Sequence, residues 1–422
     1  MLARLLALLL LLVAGPALAD TVVIHAGRVI ADPARPALGP STITVVDGRI
    51  QGIAAGLNPA PQGARLIDLS TKTVLPGLID SHVHLTGEPG GAYWREAVDT
   101  DEYVALRGAR NALVTLRAGF TTVRDLGSPG VTGFALKRAI DEGLVPGPRM
   151  LVSGNPLSTV GGHGDVAGFR PEVIAALDGH NTCTGADQCA ARVRELARAG
   201  ADVIKFMATG GVLSQGDRSL GQAFTDAEMR AIIETAHALG LKVAAHAHAD
   251  EGIAAAVRAG VDSIEHGTFA SPATIQLMRQ RGTTLVPTLM AFTGIRERLG
   301  HGVYTPLVES KVRMTLEAVG RAARLAHDAG VPVVFGTDAA VYEHGRNAGE
   351  FVELVQRAGL TPAEAIAAAT TGAAHLLGLD DEVGRIAPGF SADLIAVDGD
   401  PLTDVARLQH VDFVMVRGRT VE

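Results

Sequence analysis

From residue 73 to residue 380 one pattern recurs: a helical run, a glycine, then a short apolar run of β character. Arg117-Ala118-Gly119 precedes Phe120-Thr121-Thr122-Val123, and Arg198-Ala199-Gly200 precedes Ala201-Asp202-Val203-Ile204. Gly240, Gly260, Gly282 and Gly330 stand in the same place before Lys242–Ala245, Val261–Ile264, Thr284–Val286 and Val331–Val334. A glycine just past a helix end adopts positive φ without steric cost and stops the helix, which explains each recurrence. Adding Thr73-Val74-Leu75 and Arg149-Met150-Leu151-Val152 makes eight strands, nearly all alternating with helices. Eight such units predict an α/β fold, a (β/α)8 TIM barrel, rather than a doubly wound open sheet. The open sheet would more often carry a glycine-rich phosphate loop after its first strand, and none is present.

The two ends read differently. Residues 20–72 alternate apolar and polar positions in short runs, with Asp47-Gly48 as a hairpin turn between two of them. Residues 381–422 repeat that pattern in Asp393–Val397 and Phe413–Val416, with Arg417-Gly418 as a further turn. Neither end can bury a core by itself, so both are expected to pack as one small composite β-sandwich domain. Ahead of them, Arg4 precedes the apolar run Leu5–Val13, which Gly15 and Pro16 break before Ala17-Leu18-Ala19. That is the layout of a cleavable signal peptide over residues 1–19, and the run is too short for a membrane span. A periplasmic or secreted protein is expected, cut after Ala19 and without a membrane span once cut.

Composition narrows the partners. Lys+Arg 37 against Asp+Glu 45 gives a net charge of −8 with no block of like charge, and nothing suggests a nucleic-acid face. The chain's two cysteines, Cys183 and Cys189, lie six residues apart just before a helical pattern. In an oxidising compartment they are expected to form a structural disulfide that pins a loop to a helix start.

In a barrel of this kind, chemistry gathers at the C-terminal ends of the strands. Those ends carry His82-Val83-His84, His246-Ala247-His248, Glu265-His266-Gly267 and Gly336-Thr337-Asp338, and Lys205 sits within the fourth strand. Period-two alternation puts His82 and His84 on one side of their strand. Any one of these histidines could be a core residue, but agreement of all five strand ends points to ligands for a borderline metal such as zinc. Lys205 has two readings. It is either a structural ion pair with a neighbouring acid, or a buried neutral amine that has added CO2 to become a carbamate able to bridge two metals.

The run Leu75-Pro76-Gly77-Leu78-Ile79-Asp80-Ser81-His82-Val83-His84, followed in order by Lys205, His246, His266 and Asp338, resembles the metal-dependent amidohydrolase superfamily. Gly161-Gly162-His163-Gly164, Met207–Val212 and Ala245–His248 are similar to its imidazolonepropionase-like, Xaa-Pro dipeptidase and carboxypeptidase group, which includes ochratoxin-hydrolysing amidohydrolases. No metal position departs from that pattern. The resemblance implies two zinc ions: one held by His82, His84 and Asp338, the other by His246 and His266, with N-carboxylated Lys205 bridging. It gives Asp338 the catalytic proton transfer and leaves His163 and His248 as candidates for substrate contact. The implied reaction is hydrolysis of the amide to a C-terminal amino acid in a small molecule or dipeptide, ochratoxin A among the candidates. A lactonase or phosphotriesterase-like esterase on the same metals is the alternative, and a homo-oligomer is expected.

Overall fold

The computed structural model describes residues 20–90, 93–215 and 219–422, so the expected leader, residues 1–19, lies outside the described residues. Both ends of the described chain meet in one sheet. Its strands are β1 (Thr21–Val29), β2 (Ser41–Val46), β3 (Arg49–Ala55), β4 (Arg65–Pro76), and, after the barrel, β12 (Leu394–Val397), β13 (Val411–Val416) and β14 (Arg419–Thr420). The order β14-β13-β12-β4-β1-β2-β3 makes the composite domain a single hydrogen-bonded sheet of seven strands. Val22, Ile24 and Ala26 of β1, spaced by two, meet Ile43, Val45, Leu394, Ala396 and Met415 in a core of their own. The two hairpin turns read from the sequence stack on each other. A Cβ at Gly48 would lie 2.7 Å from the Arg417 carbonyl oxygen, and Gly48 holds φ +78, so only glycine fits.

The barrel strands are β5 (Leu78–Val83), β6 (Phe120–Asp125), β7 (Arg149–Val152), β8 (Val203–Met207), β9 (Lys242–Ala247), β10 (Ser263–His266) and β11 (Thr284–Val286). Two parallel groups, β5-β6-β7 and β8-β9-β10-β11, form most of the wall. Parallel bridges Leu157↔Phe206, Leu285↔Val333 and Val83↔Ala339 join the groups and close the ring. Helices such as Asp101–Arg117, Ala186–Ala199, Asp226–Ala238 and Asp250–Ala259 separate the strands. The glycines expected at helix ends all take positive φ: Gly119, Gly200, Gly240, Gly260, Gly282 and Gly330. Thr225 caps the helix Asp226–Ala238 in a reciprocal box with Glu228.

Two strand assignments need correction. Thr73-Val74-Leu75 is not the first barrel strand. It is the end of β4, where Val74 pairs with Ala396 and Leu75 with Ile395 of β12. The apolar run continues through Pro76-Gly77 into β5, and the break falls there because Gly77 abuts β6: a Cβ would lie 2.1 Å from Thr121 Oγ1. The eighth strand, Val331–Val334, makes only the bridge at Val333. Pro332 has no N–H for a ladder, and its carbonyl instead accepts from Leu285 (2.9 Å). Cys183 and Cys189 are joined as expected, both buried, tying the loop before the helix Ala186–Ala199 to its first turn. Among the described residues no helix is long and apolar enough to cross a membrane.

Candidate active site

At the C-terminal mouth of the barrel the titratable strand ends converge into two groups of ligand atoms. His82, His84 and Asp338 form one, and His246, His248 and His266 the other; within each, the ligand atoms lie within 4.8 Å of one another. His84 Nε2 is 3.2 Å and His82 Nε2 3.5 Å from the same Asp338 oxygen. Lys205 Nζ lies 3.5 Å from His82 Nε2. The His82 and His266 ring centres are 5.3 Å apart, so the groups adjoin. His163 reaches in from its loop, its ring centre 4.4 Å from that of His246. All the residues singled out by the sequence are therefore brought together. His248, which the resemblance treats as a substrate contact, stands at ligand distance from His246 and His266.

The surrounding hydrogen bonds decide which ring nitrogens face inward. Glu265 is ionised and buried, so its Oε2 can only accept, and His82 Nδ1 donates to it at 2.8 Å. His84 Nδ1 donates to the Gly127 carbonyl at 2.9 Å. Thr288 gives its own proton to the Pro287 carbonyl, so its oxygen accepts from His266 Nδ1 at 2.6 Å. In all of these rings the proton sits on Nδ1 and the Nε2 lone pair is left for a ligand, the arrangement metal-binding histidines need. His246 Nε2 is buried with no hydrogen-bond partner at all. His248 Nδ1 lies 2.9 Å from Thr268 Oγ1.

Backbone strain marks the same places. His266, Thr288 and Asp338 have φ of +70°, +49° and +58°, left-handed values that non-glycine residues seldom adopt. At His266 the consequence is visible. Successive strand residues should face opposite ways, yet Glu265 and His266 both reach His82.

Electrostatics keep most of the imidazole donors neutral. Burial pushes the His82 imidazole down to about 4, with the Lys205 ammonium adding to the effect. Burial likewise lowers His163 to about 4 and His248 to about 3, and holds His246 and His266 well below the usual histidine range. His84 moves the other way, because the adjoining Asp338 carboxylate outweighs burial. For Asp338, burial is overruled by His82, His84 and His266, which hold the carboxyl well below the usual range. Lys205 is lowered to about 8, burial prevailing over the pull of Glu265 and Asp338. An ammonium here is thus unusually ready to lose its proton.

Sequence reasoning missed the layer beneath. Arg124 of β6 donates to Glu265 (2.9 Å) and to the Ser81 carbonyl (2.6 Å), and Ser263 donates to Glu265 (2.6 Å). Arg124 and Glu265 are both buried, and this ion pair lies inside the barrel against His82. Asp80 accepts from the His82 amide (3.1 Å), Thr337 Oγ1 (2.6 Å) and Asn347 Nδ2 (2.8 Å), tying the His82 strand to the turn that carries Asp338. A signal existed: Arg124 and Glu265 are charged residues within short strands buried along their whole length. Their mutual contact, across β6 and β10, was not readable. A cleft of about 140 Å³ lies beside the His163 loop, between Thr159–Gly162 and Gly210, Ser219 and Gly221–Ala223.

A TIM barrel with a composite sheet domain and a histidine-rich mouth defines a class of metal-dependent hydrolases, and comparison with known proteins agrees. The amidohydrolase family model matches residues 73–421, and the chain belongs to that family, a hydrolase acting on amide bonds. It is 32% identical over 355 residues to the ochratoxinase of Aspergillus niger, covering 80% of this chain and 72% of that protein. Among solved structures, a Xaa-Pro dipeptidase with methionine bound in its active site superposes with a TM-score of 0.89 at 35% identity, covering 96% of this chain and 100% of that one. A prolidase complexed with N-methylphosphonate-L-proline gives a TM-score of 0.87 at 32% identity, with the same coverage.

Proposed function

We propose that this chain is an exported, binuclear-zinc hydrolase that cleaves the amide joining an acyl group to a C-terminal amino acid. The observation that carries the metal reading is the donor set: buried imidazoles whose Nδ1–H groups are turned to acceptors, with Nε2 atoms and one carboxylate converging, and His246 Nε2 buried without a partner. Left without a cation, so many buried lone pairs facing one another would be costly. His82, His84 and Asp338 would hold one zinc, His246 and His266 the other. Lys205, whose ammonium burial disfavours, would serve both as its N-carboxylate. Bound zinc supplies a Lewis acid for the scissile carbonyl and lowers the pKa of water.

The chain's own residues do the rest. Asp338, ionised and set against His82 and His84, takes the proton of the attacking water and delivers it to the leaving amine nitrogen. His163 and His248 are neutral at neutral pH and stand against His246, placed to hold the substrate carbonyl or the oxyanion that develops from it. The amino-acid side of the substrate is supported by the similar structures, one holding methionine and another a phosphonate of proline. Ochratoxin A, an amide of phenylalanine, fits the same class and is supported by the ochratoxinase relative. Export is supported by the buried disulfide and by the leader pattern of residues 1–19, with Asp20 as the mature N-terminus.

The test is a panel of N-acyl amino acids, Xaa-Pro dipeptides and ochratoxin A, with lactones and phosphotriesters alongside. Release of free amino acid from at least one amide class, at rates above those for the esters, is expected. Turnover confined to lactones or phosphotriesters would overturn the proposal.

A further inference from the structure

The other groups of the site lie in a barrel strand or within a few residues of its end, whereas His163 is carried by a loop well beyond the end of β7, so something outside the sheet must hold it. Its ring lies against the Gly211 backbone, where a Cβ would come within 2.1 Å of Nδ1, and that nitrogen is buried with no hydrogen-bond partner. The residue after it, Gly164, is fixed at both polar atoms. Its N–H donates to Ser158 Oγ (3.1 Å), and its carbonyl accepts from Asn181 Nδ2 (2.8 Å). The same Asn181 amide donates to the Pro156 carbonyl (2.7 Å), clamping the loop at its start as well as beyond His163. Ser158 in turn donates its N–H to the Asn181 carbonyl (3.1 Å), and Cys183 donates to the Ser158 carbonyl (3.1 Å).

The arm 181–183 that makes these bonds belongs to no helix or strand. It is held instead from behind. Cys183 is bonded to Cys189 in the first turn of the helix Ala186–Ala199, Arg192 Nε donates to the Thr182 carbonyl (3.3 Å), and Gly185 N–H donates to Glu228 (2.7 Å). Covalent and polar ties therefore run in series from a barrel helix through the arm to the loop that aims His163.

We propose that Asn181 is a positioning residue for His163, and that the Cys183–Cys189 disulfide acts in the reaction through it by fixing the arm from which the His163 loop hangs. This rests on His163 being a substrate-binding group. No ligand atom of either metal group is touched, so the effect belongs to substrate placement and not to metal binding. A shift of about 1 Å in a positioned group costs on the order of a hundredfold in rate.

The experiment is a double-mutant cycle on kcat/KM for a hydrolysed N-acyl amino acid, with zinc content measured on every variant. Asn181→Asp keeps the shape and removes the donating N–H groups, and Asn181→Ala is its companion should one of them fold poorly. Each should lower kcat/KM by about tenfold to a hundredfold at unchanged zinc content, and the Cys183→Ser/Cys189→Ser variant should move the same way. On a His163→Ala background these losses should vanish, because the group being positioned is gone. Losses that multiply independently of His163→Ala would overturn the proposal, as would wild-type kcat/KM in both Asn181 variants while His163→Ala is impaired. A His163→Ala protein with wild-type kcat/KM would instead remove the substrate role of His163, and the proposal with it.

Discussion

Individual side chains carry the sharpest consequences of this site. Asp338 sits against His82 and His84 and is held ionised by them and by His266, so it is poised to accept a proton. Asp338→Asn removes that capacity but leaves an oxygen able to coordinate weakly. Turnover should fall about 100- to 10,000-fold while much of the metal remains, measured by steady-state kinetics beside metal analysis. Lys205 separates two models just as cleanly. Lys205→Arg keeps the cation that a structural ion pair would need, but as a carbamate Lys205 cannot be replaced by a guanidinium. The arginine protein should lose most zinc and its activity, whereas Lys205→Ala should regain some activity with added acetate or formate. Wild-type zinc content and turnover in Lys205→Arg would end the carbamate reading. At this scale the sequence was informative where chemistry repeats along a strand, as in His82-Val83-His84, because alternation alone puts both on one side. It did not reveal that Glu265 and Arg124 act together, since their roles arise from a contact between β6 and β10 that no local pattern encodes.

Elements act through how they are joined. The Arg124–Glu265 pair links β6 to β10 inside the barrel and orients His82, so its loss should be felt as metal affinity as well as stability. Glu265→Gln should weaken zinc binding about 10- to 100-fold, read by competition with a chelating dye, at modest change in the fold. Arg124→Met leaves a buried carboxylate unpaired and should destabilise the protein by about 3–5 kcal/mol in denaturant unfolding. Unchanged zinc affinity in Glu265→Gln would show that His82 is oriented by other means. The repeated helix, glycine and strand was legible because each glycine marks a helix end by its own backbone preference. The first and eighth strands were not. Thr73–Leu75 and Leu78–Val83 form one apolar stretch, and only the approach of Gly77 to Thr121 divides sheet from barrel. In the eighth, Pro332 withholds a ladder hydrogen bond, so an apolar run pairs with β11 through a single bridge.

The whole molecule combines a barrel around a histidine cluster with a sheet made from both ends of the described chain. The mature protein should begin at Asp20, a mass spectrum of the exported form being the check; retention of residues 1–19 would contradict the leader. The central claim is that amide hydrolysis depends on two zinc ions held by the groups His82, His84, Asp338 and His246, His266, with Lys205 serving both. It is tested most directly by titrating zinc into metal-stripped protein while following release of free amino acid from a hydrolysed N-acyl amino acid. Activity should be absent without metal, rise with added zinc and level off at about two equivalents per chain. Undiminished hydrolysis by fully metal-stripped protein, or a plateau well below two equivalents, would contradict it.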